Sequence, residues 1–293
     1  MRARRIGTRG SFALLVACAL AAPASAQATT QTTPFAQNWA NTGLITAEDD
    51  WSGVAGLVGR RGDDLTTATA TDPRTVLADG SATPLELIAN QVNPNALTSG
   101  GIAEFELADP TVALQPSGTA DAPHLVVALT TAGRRDVTFS YRLRDIDGST
   151  DNTVQPIDLQ YRVGGAGSWT SVGGGFVADA TTGPSLATLE TPVAVKLPAD
   201  ADDKPLVELR VITTNAIGND EWVGIDDIAA TSTPLAASDP GGSAALPAGG
   251  QGAGAAPAPA KKPLKCRKGF KKKQVKGKPK CVKKRKKHHK RGR

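Results

Sequence analysis

The sequence predicts an all-β protein: a jelly-roll-like antiparallel β-sandwich, followed by a disordered linker and a basic tail. Three observations predict this fold class. Apolar residues recur at every second position in several segments, as they do in half-buried strands. Gly-rich and Asp-Gly turns separate these segments, and only residues 84–90 have the pattern of even a short helix. Many strands with almost no helix favour two packed antiparallel sheets.

The individual strands follow from this alternation. In residues 137–143, Val137, Phe139 and Tyr141 alternate with polar side chains. The same period occurs at 157–163, 193–197 and 207–211, and residues 124–130 form a more continuous apolar run. Weaker candidates are 102–107, 111–115, 168–172 and 222–228.

The composition divides the chain into four segments. We predict a signal peptide over 1–26, the β-sandwich over 27–230, an Ala/Gly/Pro/Ser-rich linker over 231–260 and a polybasic tail over 261–293. The linker has too little apolar surface to offset its ordering entropy, so it is expected to be disordered. A body of about 200 residues is long enough for one substantial core.

The N-terminal segment predicts export. Four arginines precede an apolar run at 12–22 that is too short to span a bilayer, and Ala24-Ser25-Ala26 provides small residues for cleavage after Ala26. An alternative is a lipoprotein in which Cys18 carries the lipid. No other apolar run is long enough for a membrane helix, so the mature chain is expected to be secreted or associated with the cell envelope.

The charge is segregated along the chain. Residues 27–260 contain 11 basic and 28 acidic residues, a net charge of −17, whereas residues 261–293 contain 19 basic residues and no acidic one. A run of this length and purity is typical of an arm that binds anionic polymers. The expected partners are anionic cell-envelope polymers, acidic polysaccharide or extracellular nucleic acid, and an alternative is neutralisation of the acidic body by the tail. The tail's expected polyanion-binding residues are Lys271, Lys272, Lys273, Lys283, Lys284, Arg285, Lys286 and Lys287.

Two cysteines, Cys266 and Cys281, lie in the tail. Export permits a disulfide between them, and the turn residues at 277–279 allow the chain to form a hairpin. Such a disulfide would order one small basic loop and leave the rest of the tail solvated. Free thiols and a metal site with His288 and His289 are the alternatives; the spacing matches no standard zinc motif.

A cluster of oxygen donors follows the strand at 137–143. Asp145, Asp147, Asp151 and Asn152 lie within eight residues, and Ca²⁺ is bound by six to eight such oxygens. The alternative is a set of turns in which Asp and Asn bond their own backbone or pair with nearby arginines, Arg142, Arg144 and Arg162. A second cluster contains Asp220, Glu221, Asp226 and Asp227, of which the last two are expected to face opposite sides of a strand. No cofactor is predicted apart from this structural Ca²⁺.

The body offers little catalytic chemistry. Its one histidine, His124, follows Pro123 at the start of a strand, where a surface or edge position is expected, and no Gly-rich loop opens a helix. The four tryptophans are expected to fill the core or close its ends; the alternative is a platform on which sugar rings stack.

Seven motifs occur in order along the body: DDWSG (49–53), GDDLT (62–66), TVALQ (111–115), LRDIDG (143–148), LQYRVG (159–164), FVADATTGP (176–184) and GNDEWVGIDDI (218–228). Together they resemble an accessory β-sandwich domain of secreted bacterial proteins, over about residues 35–230. In larger relatives this domain lies beside extracellular nuclease, phosphoesterase or lamin-tail modules. Here it stands alone with a Lys-rich C-terminal tail. The resemblance implies a sandwich fold and no established catalytic residues.

The sequence therefore predicts an exported, non-catalytic β-sandwich module, retained on anionic polymers by its tail. The alternative is a secreted metal-dependent hydrolase, acting on phosphoesters or glycans through Asp145, Asp147, Asp220 and Asp227.

Overall fold

The computed structural model describes residues 28–80, 84–148, 153–181 and 189–236, and the backbone of 270–275 and 278–283. The first four ranges form two face-to-face β-sheets, which confirms the predicted all-β sandwich. Their strands are β1 (Gln31–Thr32), β2 (Phe35–Gln37), β3 (Leu57–Arg60), β4 (Ile88–Gln91), β5 (Gly101–Phe105), β6 (Thr111–Gln115), β7 (His124–Thr130), β8 (Arg134–Asp145), β9 (Ile157–Val163), β10 (Thr170–Ser171), β11 (Glu190–Lys196), β12 (Val207–Thr213) and β13 (Val223–Pro234). The helical elements of the described residues are single 3-10 turns, at Thr42–Leu44, Pro73–Thr75, Pro94–Ala96 and Ala199–Ala201. No helix in these residues has the length and hydropathy of a membrane span.

Sheet I has the order β1-β7-β12-β9-β10, with β3 also beside β7. Sheet II has the order β11-β8-β13-β6-β5-β4, with β2 beside β13. Neighbouring strands are antiparallel except for the pairs β1–β7 and β4–β5, which are parallel. The long strands β8 and β13 lie at the centre of sheet II and pair with each other over most of their length.

The hydrophobic core lies between the two sheets and is formed by the apolar residues of the predicted alternating pattern. In sheet I, Leu125, Val127 and Leu129 of β7 are fully buried, and in sheet II Phe139 and Leu143 of β8 are too. These side chains belong to one continuous cluster that spans both sheets. A strand whose alternate residues are apolar can bury one face in this way and leave the other for polar residues.

One predicted helix and one predicted segment boundary were wrong. Residues 84–90 form no helix: Leu85 bridges to Arg60, and β4 pairs with β5 from Ile88 onwards. Tertiary pairing therefore overrides a weak local helical preference. The predicted linker also begins later than residue 231, because β13 continues to Pro234, where it pairs with Arg134.

The four tryptophans lie inside the body, as expected for core residues. Their exposed fractions are 5% or less, and each indole N–H donates to an oxygen atom: Trp39 to Ile225, Trp51 to Glu86, Trp169 to Asp79 and Trp222 to Leu97. A buried indole with its N–H satisfied is a structural residue. The interpretation of these tryptophans as a surface platform for sugar rings is therefore wrong.

The C-terminal unit contains two further strands, β14 (Phe270–Val275) and β15 (Lys278–Lys283). They pair antiparallel, with Lys273 opposite Lys280. The predicted antiparallel approach of the two segments is therefore present, but Lys278 and Pro279 of the predicted turn lie in β15, and residue 277 is outside the described residues.

Candidate functional site

Acidic side chains gather at one end of the core between the sheets. Asp145 is the last residue of β8 and pairs with Val223 of β13, and the amide of Ile146 donates to the carbonyl of Trp222. The same register, continued by two residues, brings Asp147 opposite Glu221. Because side chains alternate along a strand, Asp145 and Asp147 follow Leu143 on the inner face of sheet II. We call Asp145, Asp147, Glu221 and the nearby Asp179 the acidic end.

Asp179 reaches this end from the loop that follows β10 of sheet I. Its Oδ1 accepts hydrogen bonds from the backbone amides of Gln155 (3.2 Å) and Thr181 (3.1 Å), which fixes the carboxylate. The carboxylates of Asp179 and Asp147 both raise the pKa of Asp145 and of Glu221. Segments of both sheets thus contribute negative charge to one region.

Asp145 and Glu221 are buried more completely than carboxylates usually are. The exposed fraction is 0% for Asp145 and 2% for Glu221. Both carboxylate oxygens of Asp145 and Oε2 of Glu221 are buried and have no hydrogen-bond partner among the described residues. Burial, more than the neighbouring carboxylates, raises the pKa of each to about 7. The amide of Asp147 lowers the pKa of Asp145 but lies outside hydrogen-bonding geometry.

The arginines that the sequence offered as partners for the acidic clusters form no ion pair with Asp145 in the described part of the chain. Arg142 and Arg144 alternate with Leu143 and therefore lie on the outer face of sheet II. Arg144 pairs with Asp226 at 2.6 Å and Arg142 with Asp227 at 2.7 Å. Arg162 belongs to sheet I and pairs with Glu208 and Asp79. Arg142 and Arg144 thus pair with two acids of the second cluster, whereas strand alternation separates them from Asp145.

The sequence predicted that Asp226 and Asp227 face opposite sides of their strand. This prediction was wrong, because both carboxylates lie on the outer face of sheet II. The β8–β13 register shifts between Asp226 and Ala229, and Asp227 has a φ of +46°. This bulge turns the Asp227 carboxylate to the face on which Asp226 lies, so both acids pair with arginines two residues apart on β8.

The four carboxylates of the hydrolase alternative are not brought together. Asp227 lies four residues along β13 from Val223, the partner of Asp145, which corresponds to roughly 13 Å of strand. The carboxylate of Asp220 accepts a hydrogen bond from the amide of Ala216, and burial raises its pKa to about 6. Asp151 and Asn152 of the predicted Ca²⁺ site lie outside the described residues. No group of three or more His, Cys, Asp or Glu side chains in the described ranges is already arranged to hold one ion.

A polar groove of about 380 Å³ opens beside the acidic end. Its lining includes the side chains of Asn95, Gln115, Asn219, Asp147 and Asp220, and Asp147 belongs to both features. Gln115 is held in place because its Nε2 donates to the carbonyl of Asp220 at 2.7 Å. The short 3-10 turn Pro94–Ala96 forms one wall and is started by Asn93, whose Oδ1 accepts from the amide of Asn95.

The outer face of sheet I carries a second buried polar network, which sequence reasoning missed. Arg210 of β12 is fully buried; its Nε donates to Gln160 of β9 at 2.9 Å and its Nη1 to the carbonyl of Ala78 at 3.0 Å. The Trp169 ring lies 4.2 Å from the guanidinium carbon of Arg162 and 4.5 Å from that of Arg210. The polar residues that alternate with apolar ones in β9 and β12 indicated that one face of these strands is polar. Nothing in the sequence showed that residues 61–80 would cover it.

His124 also lies on this face, so the expected surface or edge position was wrong. Only 2% of it is exposed, and its Nδ1 lies 2.9 Å from the carbonyl oxygen of Ala122. Burial, followed by the charge of Arg210, lowers the pKa of His124 to about 3. A buried, neutral histidine of this kind is a poor general base near neutral pH.

The tail residues are described only in part. The backbone of Lys271, Lys272, Lys273 and Lys283 lies in the hairpin, whereas residues 284–287 fall outside the described residues. Cys281 pairs in register with Lys272, but Cys266 is outside the described residues too. The Cys266–Cys281 disulfide stays a prediction.

No family model matches the chain, and no curated protein matches it in sequence. Among solved structures, the chain is similar to the carbohydrate-binding module TmCBM61 in complex with β-1,4-galactotriose, at 14% identity and a TM-score of 0.27, over 43% of this chain and 72% of that one. It is also similar to CBM28, a carbohydrate-binding module specific for non-crystalline cellulose, at 14% identity and a TM-score of 0.31, over 49% and 96% of the two chains. A third similar structure is the Stig cyclase Fisc from Fischerella sp. TAU, at 11% identity and a TM-score of 0.35, over 70% and 100%.

Proposed function

We propose that this protein is an exported, non-catalytic binding module that its basic tail retains on anionic envelope polymers. The observation that carries the proposal is the charge segregation: −17 over residues 27–260 against +19 over residues 261–293. The tail gains a large electrostatic free energy on any polyanion, because binding releases condensed counterions.

The hairpin of the tail supports this assignment. Its register places Lys273 directly opposite Lys280, and like charges at directly opposed positions destabilise a β-ladder. A bound polyanion would offset that repulsion. The strands β14 and β15 belong to a unit separate from the body.

The ligand of the body is an uncharged glycan. A net charge of −17 disfavours an acidic polysaccharide at the body itself. The polar groove is lined by the side chains of Asn95, Gln115 and Asn219 together with Asp147 and Asp220. Amide and carboxylate groups together donate to and accept from hydroxyl groups, which is the chemistry of a sugar without charged substituents.

Retention by the tail is tested by comparing the full chain with a variant that ends at residue 260. Binding to immobilised teichoic acid is measured at increasing NaCl concentration. If the tail contacts about eight phosphates, log K falls with log salt at a slope near −7 for the full chain. The truncated chain should bind at least 100-fold more weakly. The full chain with Lys271, Lys272 and Lys273 changed to Gln is the graded control. Its slope of log K against log salt should be less negative by about 3 than that of the unchanged chain. Equal retention of full and truncated chains would contradict the proposal.

Glycan binding is tested with a matched pair of tryptophan variants. Thr98 lines the groove, whereas Thr170 of β10 is exposed and does not. Thr98→Trp should abolish binding to an array of neutral glycans, and Thr170→Trp should leave it unchanged. A Thr98→Trp variant that binds the same glycans with unchanged affinity would move the ligand away from this groove.

A further inference from the structure

The acidic end contains buried carboxylates that the fold does not satisfy. Both carboxylate oxygens of Asp145 and one of Glu221 are buried with no hydrogen-bond donor in the part of the chain that the structure describes. An ionised carboxylate taken out of water without a partner costs several kcal/mol, so a site of this kind needs a source of positive charge.

Among the described residues, no basic side chain forms an ion pair with this site. Neither Asp145 nor Glu221 forms an ion pair with a described residue, and the charged groups that act on their pKa values are other carboxylates. The nearest arginines along the chain, Arg142 and Arg144, lie on the opposite face of β8 and pair with Asp227 and Asp226. A rotamer change cannot bring them through the sheet.

We propose that Asp145 and Glu221 bind a divalent cation, Ca²⁺, at this end of the inter-sheet core. Asp147 and Asp179 add negative potential from two sides. The ligand set is two carboxylates completed by backbone carbonyl and water oxygens, because no group of three His, Cys, Asp or Glu side chains in the described ranges is arranged to hold one ion. The polar groove at Asp147 gives the ion a route from solvent.

The donor chemistry selects Ca²⁺ among common cations. All four side chains offer oxygen; residues 27–260 contain no cysteine, and their one histidine, His124, lies on the outer face of sheet I. Oxygen-only sites suit Ca²⁺ and Mg²⁺ and not Zn²⁺. Mg²⁺ requires near-ideal octahedral geometry and keeps several waters, whereas Ca²⁺ accepts irregular sets of six to eight oxygens.

The consequence for the fold is a link between strands. An ion on Asp145 and Glu221 would join the end of β8 to the start of β13, beside the Asp179 loop of sheet I. Since Asp147 also lines the groove, the ion would fix one wall of it. Only this last step depends on the proposed glycan-binding function.

The test uses the full chain in 150 mM NaCl at pH 8, after treatment with a chelator. Ca²⁺ at about 100 times its dissociation constant should raise the melting temperature by roughly 5 to 10 °C, and Mg²⁺ at the same concentration by less. Asp145→Asn and Glu221→Gln should each abolish the rise. Asp227→Asn removes the same charge from the outer face and should keep it. Calorimetric titration of the unchanged protein should give one Ca²⁺ per chain.

Three results would overturn the proposal: no shift or heat with Ca²⁺ in the unchanged protein, a rise retained in both Asp145→Asn and Glu221→Gln, or equal loss in Asp227→Asn. The titration of the unchanged protein decides the matter even where a variant fails to fold. Glycan binding measured with and without chelator separates the two proposals. Ca²⁺ binding without any glycan ligand defeats the proposed function alone, and glycan binding without Ca²⁺ binding defeats the cation site alone.

Discussion

Two regions of this protein bury charged groups, and they differ in how those charges are compensated. On the outer face of sheet I, three arginines (Arg60, Arg162 and Arg210) lie among three carboxylates (Asp79, Asp158 and Glu208). At the acidic end, four carboxylates meet, and the charged groups that perturb Asp145 and Glu221 are all acidic. Burial of charge is thus common to both regions. The missing counter-charge, and not burial, marks a candidate binding site.

The compensated network has a structural purpose that its contacts explain. Arg210 donates to the carbonyls of Val76 and Ala78, so it attaches the segment 61–80 to the face of sheet I. Burial lowers its pKa to about 9, which leaves it charged at neutral pH. Its guanidinium is therefore a fixed multiple donor for a loop that has no ladder of its own.

The largest expected effect is that of Arg210→Ala. The substitution leaves the Val76 and Ala78 carbonyls without their donor and opens a cavity beside Trp169. Breaking a buried charged network of this kind costs about 3 to 5 kcal/mol of unfolding free energy. Urea denaturation at pH 7 measures it. Arg135→Ala, at a position with half of its side chain exposed, is the control and should cost less than about 1 kcal/mol. Equal costs would mean that the network adds no stability.

The carboxylate of Glu86 is intermediate between these two regions, because only weak interactions offset its negative charge. Its Oε2 accepts from the amide of Ile102 at 3.2 Å, and Arg61 Nη1 lies 3.9 Å from Oε1. Burial raises its pKa to about 7, against smaller opposing effects of Arg61 and the Ile102 amide. The folded state therefore holds a proton that the unfolded state has lost between pH 4.5 and 7. The contribution of Glu86 to the free energy of unfolding therefore falls as the pH rises from 4.5 to 7. It does not change with pH below this window and stays at its lower value above it.

Glu86→Gln should remove this dependence. The free energy of unfolding of the variant minus that of the unchanged protein should increase between pH 4.5 and 7.5, by up to about 3 kcal/mol. Gln keeps the acceptor for Ile102, so the difference reports the proton and not the hydrogen bond. Urea denaturation at three pH values is sufficient, with the exposed Glu48→Gln as a control that should show no trend. A flat difference for Glu86→Gln would show that the carboxylate is ionised throughout.

The sequence predicted the sandwich because its signal is local. Alternation in β8, β9 and β12 identifies which side chains face the core, and the structure buries those same residues. It could not predict which strands pair, and therefore missed that Glu221 lies opposite Asp147 although the two are 74 positions apart. Asp179 joins through a third segment, and no spacing rule connects it to the others.

The sequence was also a poor guide to which acids pair with the arginines of β8. Arg142 and Arg144 lie within three residues of Asp145 and were offered as partners of the acidic clusters, yet strand alternation places them on the other face from Asp145. The bulge at Asp227 then gave them a different pair of acids. Proximity along a strand is therefore a poor guide to pairing, because one residue of offset reverses the face.

The smallest expected effect concerns this same strand. Arg142 pairs with Glu190 and Asp227 at 2.7 Å each, but 38% or more of each of these side chains is exposed. Water and salt screen such pairs, so Arg142→Ala should cost only about 0.5 kcal/mol. Arg144, two residues away, has 3% of its side chain exposed and pairs with Asp226, which has 4% exposed. Arg144→Ala should cost about 3 kcal/mol or more, because it leaves the buried Asp226 without its positive partner and with only the amide of Asp227 as a donor. Urea denaturation in 0.05 and 0.5 M NaCl should show salt dependence for the Arg142 difference only. Similar costs at both positions would mean that burial does not decide the worth of these ion pairs, and the contrast between the compensated network and the acidic end would lose its basis.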